Sequence, residues 1–185
     1  MKTHFDIENL VDKGIITNEL DYERALVSDR KLRILSKDNL HFKNLRVKLR
    51  NIIEVYENQE WSENEITQEK IIESDKYEQI AESERLFIEN RKIAIKTKLK
   101  ELSLTQENLS SILGHKSKTH MSELINGIKP FTIKDLIIIN RILKIEMNVL
   151  VPNFLSTEDQ NRVKAAVVKL ANPKIKLTSK DLVFA

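Results

Sequence analysis

Cysteine is absent from this 185-residue chain, which removes disulfides and thiolate metal sites from consideration. Glycine and proline are scarce, three of each, and aromatic residues make up only 5%. β-Sandwiches and barrels need frequent tight turns, so that scarcity argues against both. The longest purely apolar runs are tetrads such as LIII at 136–139, far short of the roughly 20 residues that span a bilayer. The opening MKTHFDIENL has no apolar core of a secretory signal. A cytoplasmic protein without membrane spans is expected.

What remains is 41% hydrophobic and 32% charged residues, a balance that suits long amphipathic helices. The expected class is all-α. The formal net charge of +3 conceals an asymmetry. Residues 54–89 hold twelve acids and three bases, whereas residues 90–151 hold eleven bases and five acids. An acidic middle followed by a basic segment suggests divided labour, with the basic part facing an anionic partner.

Helical periodicity and cap residues predict the order of elements. A short helix over 5–14 is closed by Gly14. A second over 17–39 is capped by Thr17 or Asn18, with Leu20, Leu26 or Val27, and Leu35 on its inner face. The third, over 41–61, carries Leu45, Leu49, Ile52, Ile53 and Tyr56 on one stripe. A polar connection, SENEIT, leads to a helical pattern over 68–102 with a break expected near 80–83. Residues 131–144 read as a helix in which Thr132 and Asp135 form a capping box. Residues 156–173 read as a last helix, capped by Ser156 with Pro173 beyond its end. The basic and then apolar end, KIKLTSKDLVFA, follows no clear pattern.

The stretch LTQENLSSILGHKSKTHMSELING at 104–127 is the most informative. Thr105 is suited to cap a helix whose buried face is Leu109, Ile112 and Leu113, and Gly114 ends it. Another helix starts near Ser117, with Met121, Leu124 and Ile125 inward. Lys118, Thr119, Ser122 and either His120 or Asn126 are left outward. Two short helices joined by a glycine-marked turn, the second with a polar outer face, describe a helix-turn-helix. Its free face suits a major groove, where lysine reads guanine acceptors and Ser or Thr contacts either base type.

LTQENLSSILG, MSELING and the downstream LIIINRILKI resemble the DNA-binding domain of phage repressors and bacterial regulators of the XRE type. Thr105-Gln106-Glu107 opens the second helix of that pattern, and Ser122 through Gly127 close its recognition helix. The spacing from Gly114 to Met121 is about one residue longer than usual. ITNELDYERAL, LRNIIEVYE and SELINGIKPF add a resemblance to HigA-type antitoxins over roughly residues 15–152. The resemblance implies a homodimer that binds double-stranded DNA at its own promoter and neutralises a ribosome-dependent ribonuclease toxin, HigB. It implies an N-terminal helical partner-binding or dimerisation region over 1–89, a phage-repressor-like helix-turn-helix domain over 90–152 and a C-terminal extension over 153–185. The candidate DNA-contacting residues are Thr105, Gln106, Lys116, Ser117, Lys118, Thr119, His120, Ser122, Asn126 and Lys129.

Three alternatives stand beside this reading: a plain helical bundle, a solitary regulator without a toxin, and an adaptor that has lost DNA binding. The acidic stretch suits either a solvated helix face or contact with a basic toxin, for which Trp61 and Tyr56 are candidate anchors. His115 and His120 are five apart, which misses the i, i+4 geometry of a helical zinc pair. His4 and His41 read as exposed bystanders, so no metal is expected. No Gly-rich phosphate loop, nucleophile elbow or paired catalytic carboxylates occur, which predicts neither an enzyme nor a cofactor.

Overall fold

The computed structural model describes residues 4–60, 67–152, 155 and 157–177. All regular secondary structure among them is helical: α1 (Ile7–Lys13), α2 (Glu19–Leu35), α3 (Leu40–Glu60), α4 (Gln68–Glu101), α5 (Gln106–Leu113), α6 (Lys118–Asn126), α7 (Ile133–Leu143), α8 (Met147–Leu150) and α9 (Thr157–Leu170). No helix among the described residues is long and apolar enough to cross a membrane. By contact the chain divides into Met1–Leu150 and Val151–Ala185. The expected boundary at 89/90 falls inside α4. Trp61 and Ser156 lie outside the described residues.

Helix ends follow the local chemistry. Asn18, rather than Thr17, caps α2 by accepting the Asp21 N–H at 2.9 Å. Thr132 and Asp135 form the expected reciprocal box on α7, with N–H···O distances of 3.1 and 3.0 Å. Each box satisfies donors that the first helical turn leaves without partners.

The first core lies among α1, α2 and α3. Ile7, Leu10, Tyr22, Ala25, Leu32, Phe42, Leu45, Leu49, Ile53 and Tyr56 meet there. The stripe predicted for α3 is present except that Ile52 sits at its edge. On α2, Val27 is buried as one of the two expected alternatives, together with Tyr22, Ala25 and Leu32, while Leu26 and Leu35 only flank the cluster. The reason is that α2 is packed on two sides. One face meets α3, and Val27, Ser28 and Lys31 border a small cavity shared with Ala81 and Ile88 of α4.

α4 is the spine. Its 34 residues span about 51 Å at 1.5 Å per residue. The break expected near 80–83 does not occur; the helix is continuous, with Ala81, Ile88, Ile95 and Leu99 buried along it. It packs on α2 and also on α5, α6, α7 and α8. Ile128, just after α6, is wholly buried in the α1–α3 core, and the Ile7 N–H donates to its carbonyl at 3.1 Å. The two halves of Met1–Leu150 are thus knit together.

Buried cations add a second tie. Arg91 is 1% exposed, with its guanidinium 5.4 Å from the ring centres of both Phe87 and Phe131. It donates to the Leu150 carbonyl at 3.3 Å and lies 3.1 Å from His4 Nδ1. His4 is therefore packed inside, not the exposed bystander expected from sequence, and burial drives its imidazole well below the ordinary range. Lys31 donates to the Asn126 carbonyl at 2.9 Å, and burial lowers its ammonium to about 8.

That lowering fixes the sign of a pH effect. Between about pH 8 and the unfolded lysine value of about 10.4, the unfolded chain binds more protons, so stability rises with pH. Below about pH 8 both states are charged and the burial penalty is felt in full. Urea midpoints are expected to climb by about 2 kcal/mol of stability between about pH 8 and 10, and Lys31→Met to flatten that climb. An equal climb in the variant would assign it to another group.

The second contact unit contains α9. Arg162 and Asp159 pair at 2.5 Å within it, and the Gln160 amide donates to the Leu155 carbonyl at 3.0 Å. Pro173 follows the helix as predicted.

Candidate nucleic-acid interface

The connection between α5 and α6 is short and tightly held. Gly114 adopts φ +81°, the left-handed region that suits a residue without Cβ. The His115 N–H then returns to the Ser110 carbonyl at 2.9 Å, and the Ser110 hydroxyl donates to the His115 carbonyl at 2.7 Å. Ser110 is 7% exposed, so this reciprocal pair is a buried clamp on the turn. It takes the inward place predicted for Ile112, which is 41% exposed. Sequence pattern misses the clamp because a serine there reads as a polar surface residue.

Ser117 caps α6, its hydroxyl accepting the His120 N–H at 3.1 Å. Met121, Leu124 and Ile125 are 1–2% exposed, matching the predicted phase. Thr105 caps α5 in a box with Asn108, with Asn108 N–H···Oγ1 at 3.1 Å and Thr105 N–H···Oδ1 at 2.8 Å.

Between α5 and α6 lies an open cavity of about 660 Å³, bordered by Gln106, Glu107, His115, Lys116 and Lys118. Lys116, Ser117 and Lys118 are exposed at its edge, and Gln106, Thr119, His120 and Ser122 are half-buried. Lys118 Nζ spans to Glu107 at 2.6 Å, with both side chains well exposed. An exposed pair of this kind contributes at most about 1 kcal/mol, so a phosphate competes readily for the lysine. The His115 ring stands edge-on to His120 at 5.0 Å, and its Nε2 lies 3.2 Å from Asp135 at the start of α7.

Two of the predicted contacts have other duties. Asn126 donates to the Ser122 carbonyl at 2.9 Å and to the Ser122 hydroxyl at 3.2 Å, folding its amide back on α6. The Lys129 ammonium lies on both Glu8 and Glu123, the latter at 3.0 Å. Burial alone lowers Lys129, but the two carboxylates outweigh it and hold the ammonium above its ordinary range. Lys129 is thus bound inside an ion-pair network. The surface that the structure assembles is smaller: Gln106 from α5, Lys116 and Ser117 from the turn, and Lys118, Thr119 and Ser122 from α6, with His120 beside them.

The acidic half shows a different surface. Tyr22 and Tyr56 stack at 4.9 Å and donate their hydroxyls to Glu57 and Glu19 at 2.9 and 3.0 Å. Burial first, and then these carboxylates, push both phenols up. Tyr56 is only 8% exposed, so it is a core ring rather than the exposed anchor considered from sequence. Glu23 is pushed up by burial and by Glu78 and Glu19. Negative charge is thus crowded around this end of α2, α3 and α4.

No protein-family model, curated protein or solved structure matches the chain.

Proposed function

We propose that the chain is a DNA-binding transcriptional repressor that acts as a dimer on its own promoter. The observation that carries this reading is the α5–turn–α6 unit. Its second helix is fastened by three buried apolar residues, while Lys116, Ser117 and Lys118 at its N-terminal end stand exposed and Thr119 and Ser122 are half-buried. A helix held in this way presents side chains to a major groove without losing its seat on the protein. Lys116 and Lys118 supply charge to phosphates, and Thr119 and Ser122 read base edges. Promoter occupation then excludes polymerase.

Binding to the promoter fragment is expected to fall steeply with salt, because each neutralised phosphate releases counterions with a log–log slope of about −0.9. Lys116→Ala weakens all sequences alike and shallows the slope by about one contact. Fluorescence anisotropy at two salt concentrations measures both. A flat salt response sinks the reading and favours the adaptor.

The acid-crowded face of α2, α3 and α4 supports a second role, as the antitoxin that holds a basic ribonuclease toxin of HigB type. Co-expression with the product of an adjoining small basic gene tests it. Relief of growth arrest supports the antitoxin, and persistent arrest leaves the solitary regulator.

A further inference from the structure

Three side chains from three separate helices converge beneath α6. Glu8 comes from α1, His41 from the first turn of α3 and Glu123 from α6, and one ligand atom of each lies within 4.8 Å of the others. His41 Nε2 is 3.1 Å from Glu8 Oε1 and 2.6 Å from Glu123 Oε1. An imidazole nitrogen carries one hydrogen at most, yet here it faces two carboxylate oxygens. The carboxylates in turn converge on a common cation, the Lys129 ammonium, and His120 Nδ1 stands 3.3 Å from Glu123 Oε2. Glu123 has a side chain only 3% exposed, whereas His41 is 44% exposed at the rim. The arrangement has a buried anionic floor, an accessible imidazole and a flexible ammonium plugging the space between them.

We propose that Glu8, His41 and Glu123 bind a divalent cation of the zinc class, in competition with the Lys129 ammonium. One imidazole nitrogen and two carboxylate oxygens are a ligand set such ions accept, at about 2.0–2.2 Å per bond, with further positions for water. Tetrahedral bonds of that length place ligands about 3.3 Å apart; His41 Nε2 is already 3.1 Å from Glu8 Oε1, and its 2.6 Å contact with Glu123 opens when the ion enters. Magnesium prefers an all-oxygen shell and binds this set poorly. Lys129 yields by swinging its four-carbon stem outward, since its side chain is 30% exposed. Ligation joins α1 and α3 to α6, so the bound ion fixes the helix that carries Lys118, Thr119 and Ser122. The assignment stands whether or not that helix reads DNA.

The test is calorimetric titration of the full chain with zinc chloride, with magnesium chloride in parallel, alongside thermal melts. One equivalent of zinc is expected to bind and to raise the melting temperature, with magnesium inert. His41→Ala, at an exposed position, retains the helical circular dichroism but loses at least about tenfold in zinc affinity, together with the thermal shift. Lys129→Met removes the competing charge and tightens zinc binding at least about tenfold, an outcome a merely structural ion pair does not produce. His115→Ala is expected to leave affinity unchanged. Zinc binding that survives His41→Ala, or that Lys129→Met fails to strengthen, overturns the site, and so does the absence of any binding.

Discussion

Leu124→Ala is expected to destabilise the protein by about 2–5 kcal/mol, the range for truncating a core leucine whose surroundings relax only partly. Leu124 is 2% exposed and sits between two other buried residues of α6, Met121 and Ile125, so the cavity has little room to collapse. Ser122→Ala and Thr119→Ala, one turn around the same helix, are expected to cost much less. Thr119 is half-buried without a role in any cap, so its loss stays within about 0.5 kcal/mol. Ser122 accepts from Asn126 at 3.2 Å, an interaction whose carbonyl counterpart at 2.9 Å survives the change. Its cost is therefore about 1 kcal/mol at most. If these two face bases, their replacement lowers the preference for the operator over random DNA by about 1–3 kcal/mol each. Chemical denaturation and operator competition on the same samples separate the effects. Stable Leu124→Ala alongside unfolded Ser122→Ala would mean that the phase of α6 is reversed.

That phase was legible in the sequence because the periodicity of 3.6 and the cap at Ser117 agree with each other. The same holds for Thr132 with Asp135, where both halves of the signal lie three residues apart. α4 was harder to read. No residue of α4 before Ala81 is buried, whereas Ala81, Ile88, Ile95 and Leu99 form one inward stripe, so the apolar pattern begins near residue 81 and resembles a break. Lys129 and Asn126 were assigned to DNA because a lysine and an asparagine after a recognition helix read as surface. The asparagine's partner is local, since its amide turns back onto Ser122 one turn earlier, but Glu8 reaches Lys129 from the other end of the unit. His4 was missed for the same reason, since only the tertiary fold brings Arg91 beside it. Local signals survive into the structure, whereas charge pairing across the chain is invisible until the helices are packed.

Gly127→Ala and Gly114→Ala are expected to differ, although both glycines end a helix in the left-handed region, at φ +68° and +81°. Any L-residue with a Cβ is strained there by about 1–2 kcal/mol. At Gly114 nothing lies within 4 Å of the added methyl, so the strain is the whole cost. At Gly127 the methyl collides with Ile88 Cγ2 and comes within 3.3 Å of its Cδ1. Ile88 is 8% exposed and β-branched on α4, with few rotamers to escape into. Overpacking of this kind costs about 1–3 kcal/mol, which brings the Gly127 variant to about 2–5 kcal/mol in all. Relief requires the end of α6 to lift from α4. That movement pulls on the Ile128 N–H bond to Glu123 at 2.8 Å and on Ile128 itself, which is anchored in the α1–α3 core. Gly127→Ala therefore disturbs the seat of α6 from behind, while Gly114→Ala alters only the turn in front of it. Denaturation midpoints decide the matter. A Gly127 variant no less stable than the Gly114 variant would show that α4 does not press on the end of α6, and the close fastening of the two halves would have to be abandoned.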